Sequence, residues 1–206
     1  MSSAKPSNGS KILNKTDLSL DDAKWTTLKN IDWRDPTGKE RVWESAERVT
    51  NKSSTTGAVG IIALLKSPGK KTRIILEKQF RPPLDAICVE VPAGLMDEGE
   101  SAEQTAEREL KEETGYVGKA VRTSYLLYND PGFTNTTTYL VYVDVDLQKP
   151  ENVDLKPEQE AGEFIEIFTP EVETLDQTLQ QLENQGYAID GRLGAFAAGI
   201  SAVKLF

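Results

Sequence analysis

The 206-residue chain has no histidine and a single cysteine, and both absences narrow the chemistry open to it. Without imidazole there is no histidine base, no Ser-His triad and no His-ligated zinc site, so acid–base or metal chemistry must rest mainly on carboxylates. A lone thiol cannot close an intramolecular disulfide. Cys88 sits in the apolar run 86–91, which fits a buried strand thiol in a reducing compartment. Also missing is any apolar stretch approaching the roughly 20 residues that span a bilayer. The N-terminal sequence MSSAKPSNGSKILNK has neither a hydrophobic signal core nor an arginine. A cytoplasmic protein is expected, with the nucleus also open to it, and no membrane partner.

Positive charge is scarce as well: 24 basic residues face 33 acidic ones, a net charge of -9. That balance disfavours a broad electrostatic grip on nucleic acid, so an anionic substrate would have to be held by metal ions and a few local arginines.

What remains is enough for one α/β domain with an appendage. Residues 1–16 are polar without periodicity and read as a disordered tail. Residues 17–56 hold two strand-like runs flanking Asp35, Pro36, Thr37 and Gly38, the signature of a type I turn, followed by a linker at 51–57. The catalytic domain is expected over 57–206. Its second hairpin pairs 58–66 with 72–80 around Ser67, Pro68, Gly69 and Lys70, and 87–91 adds a strand. Continuous apolar runs such as 61–65 predict strands covered on both faces, hence a sheet between helices. Ser101 with Gln104 forms a capping box and Gly115 stands where a C-terminal left-handed residue belongs, so a helix is bounded at both ends. Strands follow at 120–128, 136–144 and 163–168. A helix opens at Thr169 and Pro170 with Val172, Leu175, Leu179 and Leu182 as its stripe, and another spans 193–203.

The bounded helix carries the chemistry. Glu109 lies three and four residues before Glu112 and Glu113, so the three carboxylates share one face. Like charges at that spacing repel by a few tenths of a kcal/mol per pair, and carboxylates in a last turn oppose the macrodipole by roughly 0.3 to 1 kcal/mol each. A hard divalent cation such as Mg²⁺ would remove the conflict. The alternative is a solvated acidic face that Arg108 and Lys111 partly neutralise.

Residues 94–116 decide between these. They carry Gly94, Glu100 after five residues, Arg108-Glu109 after seven more, then Leu110, Lys111, Glu112-Glu113, Thr114, Gly115 and Tyr116. This resembles the Nudix box at every fixed position, with Tyr116 replacing only the final aliphatic residue. The resemblance implies a Nudix α/β/α sandwich with a mixed sheet. It also implies a loop-helix-loop that binds Mg²⁺, with Mn²⁺ as a substitute, and hydrolyses a nucleoside diphosphate linked to another moiety.

Over most of its length the chain is further similar to the ADP-ribose pyrophosphatase group of eukaryotes. That likeness implies an N-terminal sheet that builds a swapped homodimer with shared active sites. Trp25 and Trp43 from different subunits would sandwich the adenine, with Glu44 and Arg48 nearby; as plain residues, without that likeness, both tryptophans read first as cross-strand packing partners. Arg81, Glu90, Leu95 and Asp130 are carried over as substrate-binding residues. The Ala93 carbonyl, Glu109, Glu112, Glu113 and Glu163 are carried over as metal ligands. Glu163, in Gly162-Glu163-Phe164, would also take a proton from water, with Glu112 and Arg108 supporting catalysis. The implied reaction turns ADP-ribose into AMP and ribose 5-phosphate. Another ADP-sugar, an oxidised nucleoside diphosphate, or a non-catalytic ADP-ribose sensor are the alternatives.

Overall fold

The computed structural model describes residues 6–49 and 57–203. Most of the expected 51–57 linker and the far end of the tail lie outside them. After a single 3-10 turn at Leu20–Asp22, strands β1 (Thr26–Arg34) and β2 (Glu40–Arg48) form a two-stranded antiparallel ribbon. Its turn closes where Asp35 predicts: the Gly38 amide donates to the Asp35 carbonyl at 2.9 Å, and Asp35 also accepts from Thr37 and Lys39 amides.

Then come β3 (Ala58–Lys66), β4 (Arg73–Ile74), β5 (Leu76–Arg81), β6 (Ala86–Glu90), β7 (Ala93–Leu95) and helix α1 (Ala102–Thr114). Strands β8 (Lys119–Thr123), β9 (Leu127–Tyr128), β10 (Thr137–Asp146) and β11 (Glu166–Phe168) lead to α2 (Leu175–Asn184), β12 (Ala188–Ile189) and α3 (Gly191–Ala202). One mixed sheet runs β4-β3-β10-β8, with β7 on β3 and β9 on β10; a second runs β11-β5-β6-β12. Among the described residues no helix is long and apolar enough to cross a membrane.

Alternation along β3 divides the core. Val59, Ile61, Ala63 and Leu65 join Val141, Val143 and Val145 of β10 beneath Ala102, Ala106 and Leu110 of α1. On the other face Ile62 packs with Leu76, Val89 and Val91 against Leu175 and Leu179 of α2 and Leu193 and Ala197 of α3. The run at 61–65 is thus buried on both sides.

Several elements depart from the sequence expectation: the 120–128 run is divided into β8 and β9, the 163–168 run pairs only over Glu166–Phe168, and two others are built differently. The 58–66/72–80 hairpin forms only next to its turn, where Leu64 pairs with Ile74 and Leu65 with Arg73. The chain then crosses over: Ile75 packs in the α1 core while Leu76 enters the other core, and β5 pairs with β6 instead. A strand shared between sheets must be apolar on both sides, so its sequence cannot show where it switches. The helix expected from Thr169 and Pro170 begins at Leu175. Residues 170–172 are held along β4 by bonds from the Ile74 amide to the Pro170 carbonyl and from the Val172 amide to the Thr72 carbonyl. Residues 172–174 then make a single 3-10 turn before α2, and Val172 still packs against the core that holds Leu175 and Leu179.

Candidate active site

The second sheet delivers its chain from β6 through Val91 and Pro92 to β7 and then to α1, so the ends of both sheets meet the acidic helix. Ser101 and Gln104 make the reciprocal capping box, and Gly115, with φ +74°, closes the helix by donating to the Lys111 carbonyl at 2.8 Å. Between these caps Arg108 organises the acidic face. Its Nε and Nη2 each donate to Glu100 at 2.9 Å, Nη1 reaches Glu109 at 2.8 Å and Glu112 at 3.0 Å, and Nη2 touches the Leu95 carbonyl at 3.3 Å. The Arg108 guanidinium holds the Glu100 carboxyl down to about 2, and Glu100 also accepts from Thr105 and the Asp97 amide. One cation therefore binds three carboxylates, which offsets the repulsion the spacing creates.

Gly94 is required for this packing: a Cβ there would lie 2.0 Å from the Glu109 carboxyl carbon. Glu113 points the other way, into the protein. It is 6% exposed, accepts from the Ala93 amide at 3.0 Å, and is pushed well up by burial and then by the charges of Glu77 and Glu109. Burial likewise raises Glu109, against the pull of Arg108.

Glu77 is the residue that sequence reasoning did not single out. It ends the apolar run 74–76 on β5, is 4% exposed, and its Oε1 has no hydrogen-bond partner. The β5–β6 register sets it directly opposite Glu90. Two carboxylates opposed on a buried ladder repel; Glu90 is neutralised by Arg81 in a two-pronged pair of 2.6 and 2.9 Å, and Glu77 is not. Desolvation raises the Glu77 carboxyl strongly, with its bond to Glu113 working against that. The only signal in the sequence was a charge following three large apolar residues.

Glu163 completes the acidic surroundings. It is close enough for its charge to raise Glu77, Glu109 and Glu113, and it sits in a turn where the Glu160 amide donates to its Oε2 at 3.0 Å. Among the described residues no three such side chains stand in a ready coordinating set, because Glu109 and Glu112 are turned to Arg108 and Glu113 to Ala93. The donor chemistry nonetheless fits a hard divalent cation: every group is a carboxylate oxygen, the cluster is partly desolvated, and the buried Glu77 oxygen is unbonded.

The expected substrate residues fall into two groups. Arg81, Glu90 and Leu95 lie beside the acidic helix through the bonds just described. Trp43, Glu44 and Arg48 are on β2 and exposed, and the Trp43 Nε1 donates to the Gly132 carbonyl at 3.0 Å, within the Asp130 turn. Trp25 is 80% exposed and level with Val49, whose amide donates to its carbonyl. Trp43 faces Ile31 instead, six positions along the ribbon, roughly 20 Å at strand spacing. The two tryptophans are therefore not cross-strand packing partners. A groove of about 1480 Å³ runs between Arg48, Leu95, the 122–129 segment and Arg192, and the α1 carboxylates do not line it.

A sandwich of this topology, with an arginine-clasped acidic helix between a glycine-led loop and a glycine cap, defines a class of protein. The chain matches the NUDIX domain over residues 55–188. It is 46% identical to an ADP-ribose pyrophosphatase of Saccharomyces cerevisiae over 90% of this chain and 80% of that one. It is 45% identical to an uncharacterized Nudix hydrolase of Schizosaccharomyces pombe over 93% of each. An ADP-sugar pyrophosphatase of Mus musculus shares 35% over 96% of this chain and 91% of its own. A crystal structure of an ADP compounds hydrolase shares the fold at a TM-score of 0.59 and 21% identity, covering 100% of this chain and 96% of that one. The chain belongs to the Nudix hydrolase family.

Proposed function

We propose that the protein hydrolyses the diphosphate of ADP-ribose to AMP and ribose 5-phosphate with Mg²⁺ as cofactor, Mn²⁺ substituting. The observation that carries the hydrolytic part is the Arg108 clasp over Glu109 and Glu112 beside buried Glu113. The choice of ADP-ribose is supported by the yeast relative of that name.

Glu109, Glu112, Glu113, Glu163 and the Ala93 carbonyl would hold the metal. When bound, it supplies charge neutralisation of the diphosphate and acidification of a water. The residues of the chain do the rest. Glu163 takes a proton from the attacking water, whose oxygen forms the new bond to phosphorus as the bridging P–O bond breaks, and the departing phosphate keeps the bridging oxygen. Arg108 holds Glu109 and Glu112 in place before substrate arrives. Arg81, whose side chain is 43% exposed and whose Nε and Nη2 are held by Glu90, offers its remaining donors to the diphosphate.

Adenine recognition is assigned to Trp25 and Trp43 with Glu44 and Arg48 nearby, and Asp130, reaching the substrate of the partner subunit, and Leu95 add further substrate contacts. Because the tryptophans stand far apart in one chain, the sandwich needs a second copy, and a homodimer with shared sites follows. The exposed apolar side chains of the ribbon, including Leu28, Trp33 and Val42, support the same conclusion. A dimer by sedimentation is expected, and a fully active monomer would refute the shared site. The lone buried thiol supports a cytoplasmic location. A product assay across ADP-ribose, ADP-sugars and oxidised nucleoside diphosphates tests the substrate. ADP-ribose should give the highest kcat/KM, and slower turnover than every competitor would reject it.

A further inference from the structure

The loop that carries Glu163 contributes little burial of its own, yet it is fastened at both ends by one side chain. The last carbonyls of α1 have no partner within the helix. Two of them, on Glu112 and Glu113, are taken by this loop: the Glu158 amide donates to the Glu112 carbonyl at 2.7 Å, and the Gln159 Nε2 donates to the Glu113 carbonyl at 3.2 Å. The same Nε2 reaches the Ile165 carbonyl at 3.3 Å, while the Gln159 Oε1 accepts from the Ile165 amide at 3.4 Å. Ile165 is where the loop rejoins the sheet, immediately before β11 pairs with β5. The Gln159 amide thus ties the entry of the loop, its exit and the end of the acidic helix together.

Inside that tie the loop is a tight turn. The Glu163 amide donates to the Glu160 carbonyl at 3.1 Å, and Gly162 adopts φ +102°. Phe164, beside it, is 70% exposed and anchors nothing. Glu163 is therefore fixed relative to Glu113 by backbone groups at the end of α1, the Glu112 carbonyl through the Glu158 amide and the Glu113 carbonyl through Gln159. The amide orientation is specified: reversed, it would set its oxygen against two carbonyl oxygens and its NH₂ against an N–H.

We infer that Gln159 is a positioning residue for the hydrolytic reaction, holding Glu163 in register with the carboxylates of α1. This rests on the role proposed above for Glu163, so the test measures both. Gln159→Met keeps the length and removes all three bonds. It should lower kcat on the order of 100-fold, the cost of displacing a catalytic group by about an ångström, with KM within about threefold of wild type. Gln159→Glu, with an oxygen where the two carbonyls need a donor, should not restore the rate. Combined with Glu163→Gln, Gln159→Met should slow the enzyme no further, because its effect passes through a group already removed. Circular dichroism and Tm establish that each variant is folded, and Gln159→Asn, too short to reach Ile165 and Glu113 together, repeats the comparison if Gln159→Met is not. Equal further slowing in the Glu163→Gln background, or a lowered Tm with unchanged kcat, would overturn the inference. Should Glu163→Gln itself retain full kcat, the assignment of Glu163 fails instead. Should it be slow while Gln159→Met is not, only the inference about Gln159 fails.

Discussion

In α1 the residues that look ill suited to their place are charged, whereas in the β1–β2 ribbon they are apolar. The helix resolves its conflict inside the chain: Arg108 binds three carboxylates, Gly94 makes room for Glu109, and Glu158 and Gln159 take up the end carbonyls. Among the described residues the ribbon leaves Leu28, Ile31, Trp33, Val42 and Trp43 exposed. Two strands alone are marginal in water, and this pair touches the rest of the described molecule chiefly where Ala46 and Trp43 meet the 130–134 turn. The difference teaches where each function can live. Chemistry needs groups fixed to fractions of an ångström, and the helix with the loops packed on its two ends provides that within one chain. Recognition of a flat base needs apolar area, and the ribbon holds such area exposed.

The largest effect expected from breaking this contrast is on the helix. Glu113→Gln should lower kcat by roughly a thousandfold or more while leaving the fold intact by circular dichroism, as loss of a charge-stabilising group does. Gly94→Ala comes next. Its methyl displaces the Glu109 carboxylate rather than removing it, so about 100-fold in kcat with a small change in Tm is expected from steady-state kinetics and a thermal melt. On the ribbon, Trp43→Ala should act mainly on KM, raising it about tenfold, since an aromatic stack is worth roughly 1 to 3 kcal/mol per base. A kcat loss like that of Glu113→Gln would erase the distinction between the regions.

The smallest effect is on stability. Burial raises Glu77, Glu113 and Glu109, so in metal-free protein the folded state keeps protons that the unfolded chain has already released. The stability this provides is fully present below the ordinary carboxylate range and is lost as pH rises through the raised values. Melting in a chelator should therefore show Tm falling between roughly pH 5 and pH 8. Added Mg²⁺ should flatten that slope, and Glu77→Gln should reduce it even without metal.

How much of this could be read from the sequence follows the same division. The helix was legible because capping, spacing and the box all lie within 94–116, where residue offsets are distances. The β-turn from Asp35 to Gly38 was legible for the same reason. Features that depend on which strand lies beside which were not. Glu77 meets Glu90 and Glu113 only once β5 has left β4 for the second sheet, and the late start of α2 comes from backbone bonds to β4. Gln159 gave no signal, because a glutamine in a polar loop looks like any other until its three bonds are seen.

Steady-state kinetics of wild type, Trp43→Ala and Glu113→Gln across ADP-ribose, ADP-sugars and oxidised nucleoside diphosphates test the division of labour most directly. Trp43→Ala should compress or reorder the ranking of substrates with kcat largely kept. Glu113→Gln should slow every substrate alike and leave their order unchanged. The reverse pattern, a ranking altered by Glu113→Gln and left intact by Trp43→Ala, would contradict it.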